Sequence, residues 1–182
     1  IKNYLKDYPS NIVDYTIKRL TKEGYLNDNN YIKSYINTKI SLSNDGYYKI
    51  YYYLKNKDLK ETIIKNYLND IEDNIWLDKI NKIVNTKLKN NTKYSNNLLI
   101  SKIKTYLKTL GYQDYLINIA LDNINLDTSK EDEKLEKDYL KLFNKYKNKY
   151  EKNKLNYILI GKLYQKGYDL DKVKRVVETS NL

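Results

Sequence analysis

Between positions 79 and 108 lie eight lysines, Lys79, Lys82, Lys87, Lys89, Lys93, Lys102, Lys104 and Lys108, with no Asp or Glu among them. Ammonium groups at this density neutralise phosphates or an acidic protein surface, a contribution that fades steeply with salt. A second basic block runs from Lys141 to Lys154 and is relieved only by Glu151. Over the whole chain 34 Lys and Arg stand against 23 Asp and Glu, a formal charge of +11 that calls for an anionic partner. Only Arg19 and Arg175 are arginines, so the charge comes as point cations without a bidentate fork, and contact with nucleic acid is expected to be weak and indifferent to sequence. The abundance of Lys, Asn, Ile and Tyr also matches AT-rich coding, which puts the weight on the sum of charge and not on single lysines.

Catalytic chemistry is narrowed by what is missing. With no cysteine and no histidine, thiolate nucleophiles, Cys-type zinc sites, imidazole bases and the Ser/His/Asp and Cys/His arrangements are all excluded. The densest acidic group, Glu131, Asp132, Glu133, Glu136 and Asp138, follows Thr128 at the beginning of a helical stretch, interspersed with Lys130, Lys134 and Lys137. That placement suits the helix macrodipole and i, i+3 or i, i+4 pairing better than a metal. Asp70, Glu72 and Asp73 at another helix junction read the same way. No enzymatic constellation, metal, cofactor or small-molecule substrate is expected. The 22 tyrosines could stack on bases, but single-strand readers mount aromatics on sheets or barrels, for which the pattern gives no sign. With one Phe and one Trp in the chain, tyrosine is expected to serve as core filler.

The elements that carry these residues are helices. Five glycines and one proline in 182 residues are too few for a sandwich or barrel, and apolar residues recur at helical spacing. Stripes run through Ile12, Val13, Ile17 and Leu20; Tyr31, Ile32, Tyr35, Ile36 and Ile40; Ile50 and Leu54; Ile63, Ile64, Tyr67, Leu68 and Ile71. Further along they run through Leu99, Ile103, Tyr106, Leu107 and Leu110; Leu116, Ile119, Ala120 and Ile124; Leu155, Ile158, Leu159 and Leu163; and Val173, Val176 and Val177. Asp58 to Glu61 and Thr128 to Glu131 read as capping boxes, with Ser10, Asp28 and Asp45 as further caps. Breaks fall at Gly24, Asp45-Gly46, Asn90-Asn91, Gly111 and Gly167.

Three short segments repeat: Leu54-x-x-x-Asp58-Leu59, Leu107-x-x-x-Gly111-Tyr112 and Leu163-x-x-x-Gly167-Tyr168, each followed by an amphipathic helix. The repeat divides the chain into a remnant over 1–27 and three-helix repeats over 28–71, 72–127 and 128–182. Stacked units of this kind predict an all-α, elongated, curved, solenoid-like body. The remnant, and a chain with no methionine, lead us to expect an N-terminal truncation. No apolar run approaches the ~18 residues of a membrane span and the first residues do not form a signal peptide, so a cytoplasmic protein without a membrane partner is expected.

The stretch Gly24-Tyr25-Leu26-Asn27-Asp28-Asn29-Asn30-Tyr31-Ile32, then Lys39, then Gly46-x-x-x-Ile50-x-x-x-Leu54-x-x-Lys57, resembles the central signature of the RecX family of bacterial recombinase regulators. Leu107 to Leu121 and Leu163 to Val177 resemble that family's C-terminal repeats, so the likeness covers nearly the whole chain. The family usually carries Glu where this chain has Tyr53 and Gly where it has Asp58. The resemblance implies tandem three-helix repeats, no enzymatic activity, and binding along the RecA filament on single-stranded DNA with inhibition or remodelling of the recombinase. A helical module that binds nucleic acid without the recombinase is the alternative. Within the signature, Gly24 reads as a helix stop and Asp28 or Asn27 as the cap of the next helix, Gly46 as a break, and Tyr31, Ile50 and Leu54 as packing residues. Lys39, Lys49 and Lys57, with Lys82, Lys87, Lys102 and Lys104 of the lysine block, are the expected contacts to partner or DNA.

Overall fold

Apolar stripes every three to four residues, punctuated by glycine and asparagine, produce ten helices among the described residues, 5–126 and 128–179 of this computed structural model, and no strand among them. The outermost residues of the expected segments, 1–4 and 180–182, and position 127 lie outside that description. The helices are α1 Ser10–Lys22, α2 Asp28–Leu42, α3 Tyr47–Lys55, α4 Glu61–Asn69, α5 Asp73–Lys89, α6 Asn96–Thr109, α7 Asp114–Asp122, α8 Thr128–Tyr146, α9 Lys152–Gln165 and α10 Leu170–Thr179. They fall into two compact units, Ile1–Glu72 and Asp73–Leu182.

In the first unit α2, α3 and α4 pack on one another around Ile32, Ile36, Ile50, Leu54, Ile64 and Leu68, all 2 % exposed or less. In the second unit α5, α6 and α7 form one triplet and α8, α9 and α10 another. Trp76, Ile80, Ile103, Leu107, Leu116 and Ile117 are buried in the former; Leu135, Tyr139, Leu155, Leu159, Leu163, Tyr168, Val173 and Val177 form the core of the latter.

The repeated Leu-x-x-x-Gly segment is the corner between the second and third helix of each triplet. Leu54, Leu107 and Leu163 are fully buried, and four residues on the backbone turns left-handed at Asp58 (φ 60°), Gly111 (φ 84°) and Gly167 (φ 87°). A left-handed residue just past a helix lets its amide reach back to the orphan carbonyls: Asp58 N–H donates to Lys55 C=O at 3.0 Å, Gly111 N–H to Lys108 C=O at 2.9 Å and Gly167 N–H to Tyr164 C=O at 2.8 Å. Gly24 ends α1 in the same way, at φ 81°.

Several expected caps are corrected. Asp58 does not open α4; it closes the preceding turn, and α4 begins after Lys60. Glu61 turns sideways to accept from the Tyr51 hydroxyl at 2.6 Å and to pair with Lys55 at 2.7 Å. Glu131 reaches the N-terminus of α6, accepting from Asn96 N–H at 2.7 Å. Of the two residues expected to cap α2, Asn27 does so, its Oδ1 accepting from Asn30 N–H at 3.1 Å. Pro9 and Gly46 stand at the N-caps expected of Ser10 and Asp45.

The packing expectations hold for Ile50 and Leu54, at 1 % and 0 % exposure, and fail for Tyr31, which is 46 % exposed. Its neighbours at the helical spacing, Ile32 and Ile36, already fill the core side of α2, leaving the Tyr31 ring outside. Ile12, Tyr106 and Ile119 are likewise exposed, and Ile117 takes the buried place expected of Ile119. Tyrosine as a class is corrected too. Tyr51, Tyr112, Tyr139 and Tyr168 are buried, whereas Tyr8, Tyr15, Tyr25, Tyr48, Tyr52, Tyr53, Tyr115, Tyr157 and Tyr164 stand at the surface with Tyr31 and Tyr106. A phenol keeps its hydroxyl wet while its ring covers apolar surface, so a helical protein can hold many tyrosines without burying them.

Candidate partner-binding surfaces

Of the signature residues, Gly24, Asp28 and Gly46 serve the backbone: a left-handed stop, the first residue of α2 and the N-cap of α3. Of the signature lysines, Lys39 sits on α2 and Lys49 on α3, and Lys57 follows the end of α3. Lys39 Nζ and Lys49 Nζ clasp the two oxygens of Asp45, at 3.0 Å and 2.7 Å. Burial pushes the Asp45 carboxyl up, but hydrogen bonds from Lys49 and Lys39 outweigh it and hold the group below its ordinary value. One carboxylate thus cancels part of the charge these two lysines would offer.

Lys57 stands differently, with Nζ 5.6 Å from the centre of the Tyr53 ring. Tyr53 stacks on Tyr35 at 4.6 Å and 4° between planes, and Tyr35 continues to Tyr31 at 6.2 Å. Lys39 lies over Tyr35 at 5.5 Å. The α2 and α3 faces therefore present a short tyrosine ladder edged by Lys39 and Lys57. The i, i+4 spacings Tyr31, Tyr35, Lys39 along α2 and Tyr53 of α3 to Lys57 just past its end are the sequence signal for it.

In the second unit the lysine block is divided between positions. Lys87 and Lys102 line a cavity of about 420 Å³ together with Lys93 and Tyr94. Lys82 and Lys104 are not in its lining; Lys82 is exposed on α5 and Lys104 half-buried on α6. Lys108 leaves the block, paired with Asp114 at 3.0 Å. Lys87 Nζ sits 3.9 Å from the centre of the Tyr106 ring, and Lys102 Nζ 4.8 Å from that of Tyr94. Sequence reasoning missed Lys93, Tyr94 and Tyr106 as neighbours of these lysines.

Asp132 and Asp138 of the acidic group on α8 are paired internally. Asp132 pairs with Lys172 at 2.7 Å; Asp138 pairs with Lys166 at 2.7 Å and accepts from the Tyr168 hydroxyl at 3.0 Å. Among the described residues no group of three His, Cys, Asp or Glu could hold a metal ion, and no helix is long and apolar enough to cross a membrane.

No family model matches the chain. It is 28 % identical over 173 residues to the regulatory protein RecX of Streptococcus agalactiae, covering 92 % of this chain and 65 % of that one. It is also 28 % identical to the regulatory protein RecX of Staphylococcus carnosus, covering 94 % of this chain and 63 % of the relative. The chain thus spans about 65 % of the length of such relatives. Among solved structures, RecX from Lactobacillus salivarius superposes with a TM-score of 0.61 at 25 % identity, over 68 % of this chain and 82 % of that one. Likeness in sequence along most of the chain and likeness in the all-helical fold agree: this chain is similar to proteins named regulatory protein RecX.

Proposed function

We propose that this chain is a non-enzymatic regulator of a RecA-type recombinase, binding the recombinase filament on single-stranded DNA in the cytoplasm and lowering its ATP hydrolysis and strand exchange. The observation that carries the reading is the similarity to proteins named regulatory protein RecX over more than nine-tenths of the chain. The absence of cysteine and histidine and the internal pairing of Asp132 and Asp138 on α8 fit a role in binding. Lys57, Lys82, Lys87, Lys102 and Lys104 are the side chains we assign to partner or DNA, with Lys39 and Lys49 contributing less because Asp45 shares their charge.

A second reading, a nucleic-acid-binding module that works without the recombinase, is favoured by the carboxylate-free lysine block alone. The two separate in one experiment, ATP hydrolysis by RecA on single-stranded DNA with this chain titrated in. A filament regulator touching several protomers gains from effective concentration and suppresses hydrolysis well below one copy per protomer. Inhibition that needs strand-saturating amounts and disappears when DNA is added would refute filament binding and leave the second reading.

A further inference from the structure

The cavity of about 420 Å³ lies between the C-terminal half of α5 and the first turns of α6. Its inner wall is apolar, from the buried Leu99 and Ile103, and Lys87, Lys93, Lys102 and Tyr94 also line it, with Lys87 Nζ over the Tyr106 ring at 3.9 Å. Lys102 and Lys93 Nζ stand 4.8 and 5.6 Å from the centre of the Tyr94 ring. Among the described residues no carboxylate pairs with any of the three lysines. Three like charges on one small concavity repel, and an anion between them relieves that repulsion.

The loop that carries Lys93 and Tyr94 is also held in place. Asn91 Oδ1 accepts from the amides of Lys93 and Tyr94 at 3.2 and 2.9 Å, and Asn91 Nδ2 donates to Tyr94 C=O at 2.7 Å. Lys134 Nζ reaches over from α8 to the same carbonyl at 2.7 Å. A loop fixed by four hydrogen bonds presents its ring and cations with little ordering left to do.

We propose that this cavity binds a nucleotide, its phosphates taken by Lys87, Lys93 and Lys102 and its base or sugar laid against Tyr94. An aromatic face beside clustered ammonium groups is the complement of a planar base joined to phosphate. A free nucleotide and one nucleotide of a single strand carry the same chemistry. The inference rests on reading the lysine block as an anion-binding face and is independent of the recombinase.

Isothermal titration of the full chain, without recombinase, tests it with ATP, tripolyphosphate and a short oligothymidylate. The variants are Lys87→Gln with Lys102→Gln, and, as a charge-matched control, Lys33→Gln with Lys174→Gln, two exposed lysines on α2 and α10. We expect the first pair to weaken ATP or oligothymidylate by at least about tenfold and the control by less than about twofold. Tighter ATP identifies a free nucleotide as ligand, and tighter oligothymidylate a strand. Equal losses in the two variants, or no loss in either, overturn the site, and tripolyphosphate binding as tightly as ATP overturns the part given to Tyr94. Far-ultraviolet circular dichroism confirms that both variants are folded. Failure here leaves the ATPase result with RecA untouched, and failure there leaves this one.

Discussion

Ser95 and Gly167 meet at the joint between the two triplets of the second unit. A methyl group built on Gly167 would lie 2.6 Å from Ser95 Oγ and 2.7 Å from Leu98 Cβ. Ser95 is 1 % exposed, and its hydroxyl serves two helices. It donates to Lys166 C=O at the end of α9 at 2.9 Å and accepts from Leu98 N–H at the start of α6 at 3.3 Å. Gly167→Ala meets both a left-handed φ and this contact, and should cost more than about 2 kcal/mol. Ser95→Ala relieves nothing and takes the hydroxyl away from a half-buried carbonyl and a half-buried amide, for about 1–2 kcal/mol. Urea denaturation measures both; a Gly167→Ala midpoint equal to that of the parent chain would show that the corner gives way freely.

The equivalent corner of the first unit carries an L-residue. Asp58 holds φ 60° with its side chain exposed, where glycine would carry no Cβ strain. Asp58→Gly should therefore raise stability by about 0.5–1 kcal/mol, the left-handed strain outweighing the added freedom of the unfolded chain. A thermal midpoint lower than the parent's would contradict that balance.

These two corners also mark how far the sequence could be read. The segments around Leu54, Leu107 and Leu163 were legible because burial at helical spacing and a left-handed stop both leave a local pattern. Aligning Asp58 with Gly111 and Gly167 located its backbone correctly, while treating it as a helix cap did not. Ser95 was beyond reach, since its burial is imposed by Lys166 and Gly167, 71 and 72 residues away. Tyr31 misled for the opposite reason. It sits beside the α2 stripe in sequence, but Ile32 and Ile36 already fill the face, and what remains is the stacking on Tyr35. The pairing of Lys39 and Lys49 on Asp45 was only half visible: four residues separate Lys49 from Asp45, but the approach of Lys39 depends on how α2 meets α3.

Titration should bound the stable range on both sides. Hydrogen bonds from Lys55 and then Tyr51 hold Glu61 below its ordinary 4.5, and Asp45 is held below 3.8 despite its burial. A lowered carboxyl stabilises the fold above its unfolded value and loses that contribution as pH falls through the folded one, so stability begins to fall below about pH 4.5. Tyr168 is raised, first by burial and then by its hydrogen bond to Asp138. A raised phenol keeps its full contribution below about pH 10 and loses it above, as the unfolded chain ionises first. Tyr168→Phe should hold stability within about 1 kcal/mol at neutral pH, since Lys166 still pairs with Asp138, and move the alkaline limb upward. An unchanged alkaline midpoint in pH-dependent denaturation would show that Tyr168 does not set it.

Gly161 lies inside α9, exposed, with nothing within 4 Å of where a Cβ would stand. Alanine in a helix interior is favoured over glycine by about 1 kcal/mol, and with no neighbour to displace the gain should be realised in full. Gly161→Ala is expected to raise the thermal midpoint, and a fall would mean that the α9 backbone at this point departs from regular helix.

The lysine block makes the most direct functional prediction, because the structure divides it into two pairs. Lys87 and Lys102 face one cavity while Lys82 and Lys104 do not. For single-stranded nucleic acid the logarithm of affinity falls with the logarithm of salt by about 0.7 for each phosphate neutralised. Changing Lys87 and Lys102 to Gln should flatten that slope by about 1.4 if each meets a phosphate. Changing Lys82 and Lys104 removes the same formal charge from positions that share no concavity, and the slope should flatten by less than half as much. Fluorescence anisotropy of a labelled oligothymidylate across a salt series measures both. Equal flattening by the two pairs would mean that the strand meets a diffuse basic face, and the cavity would lose its place as the principal contact.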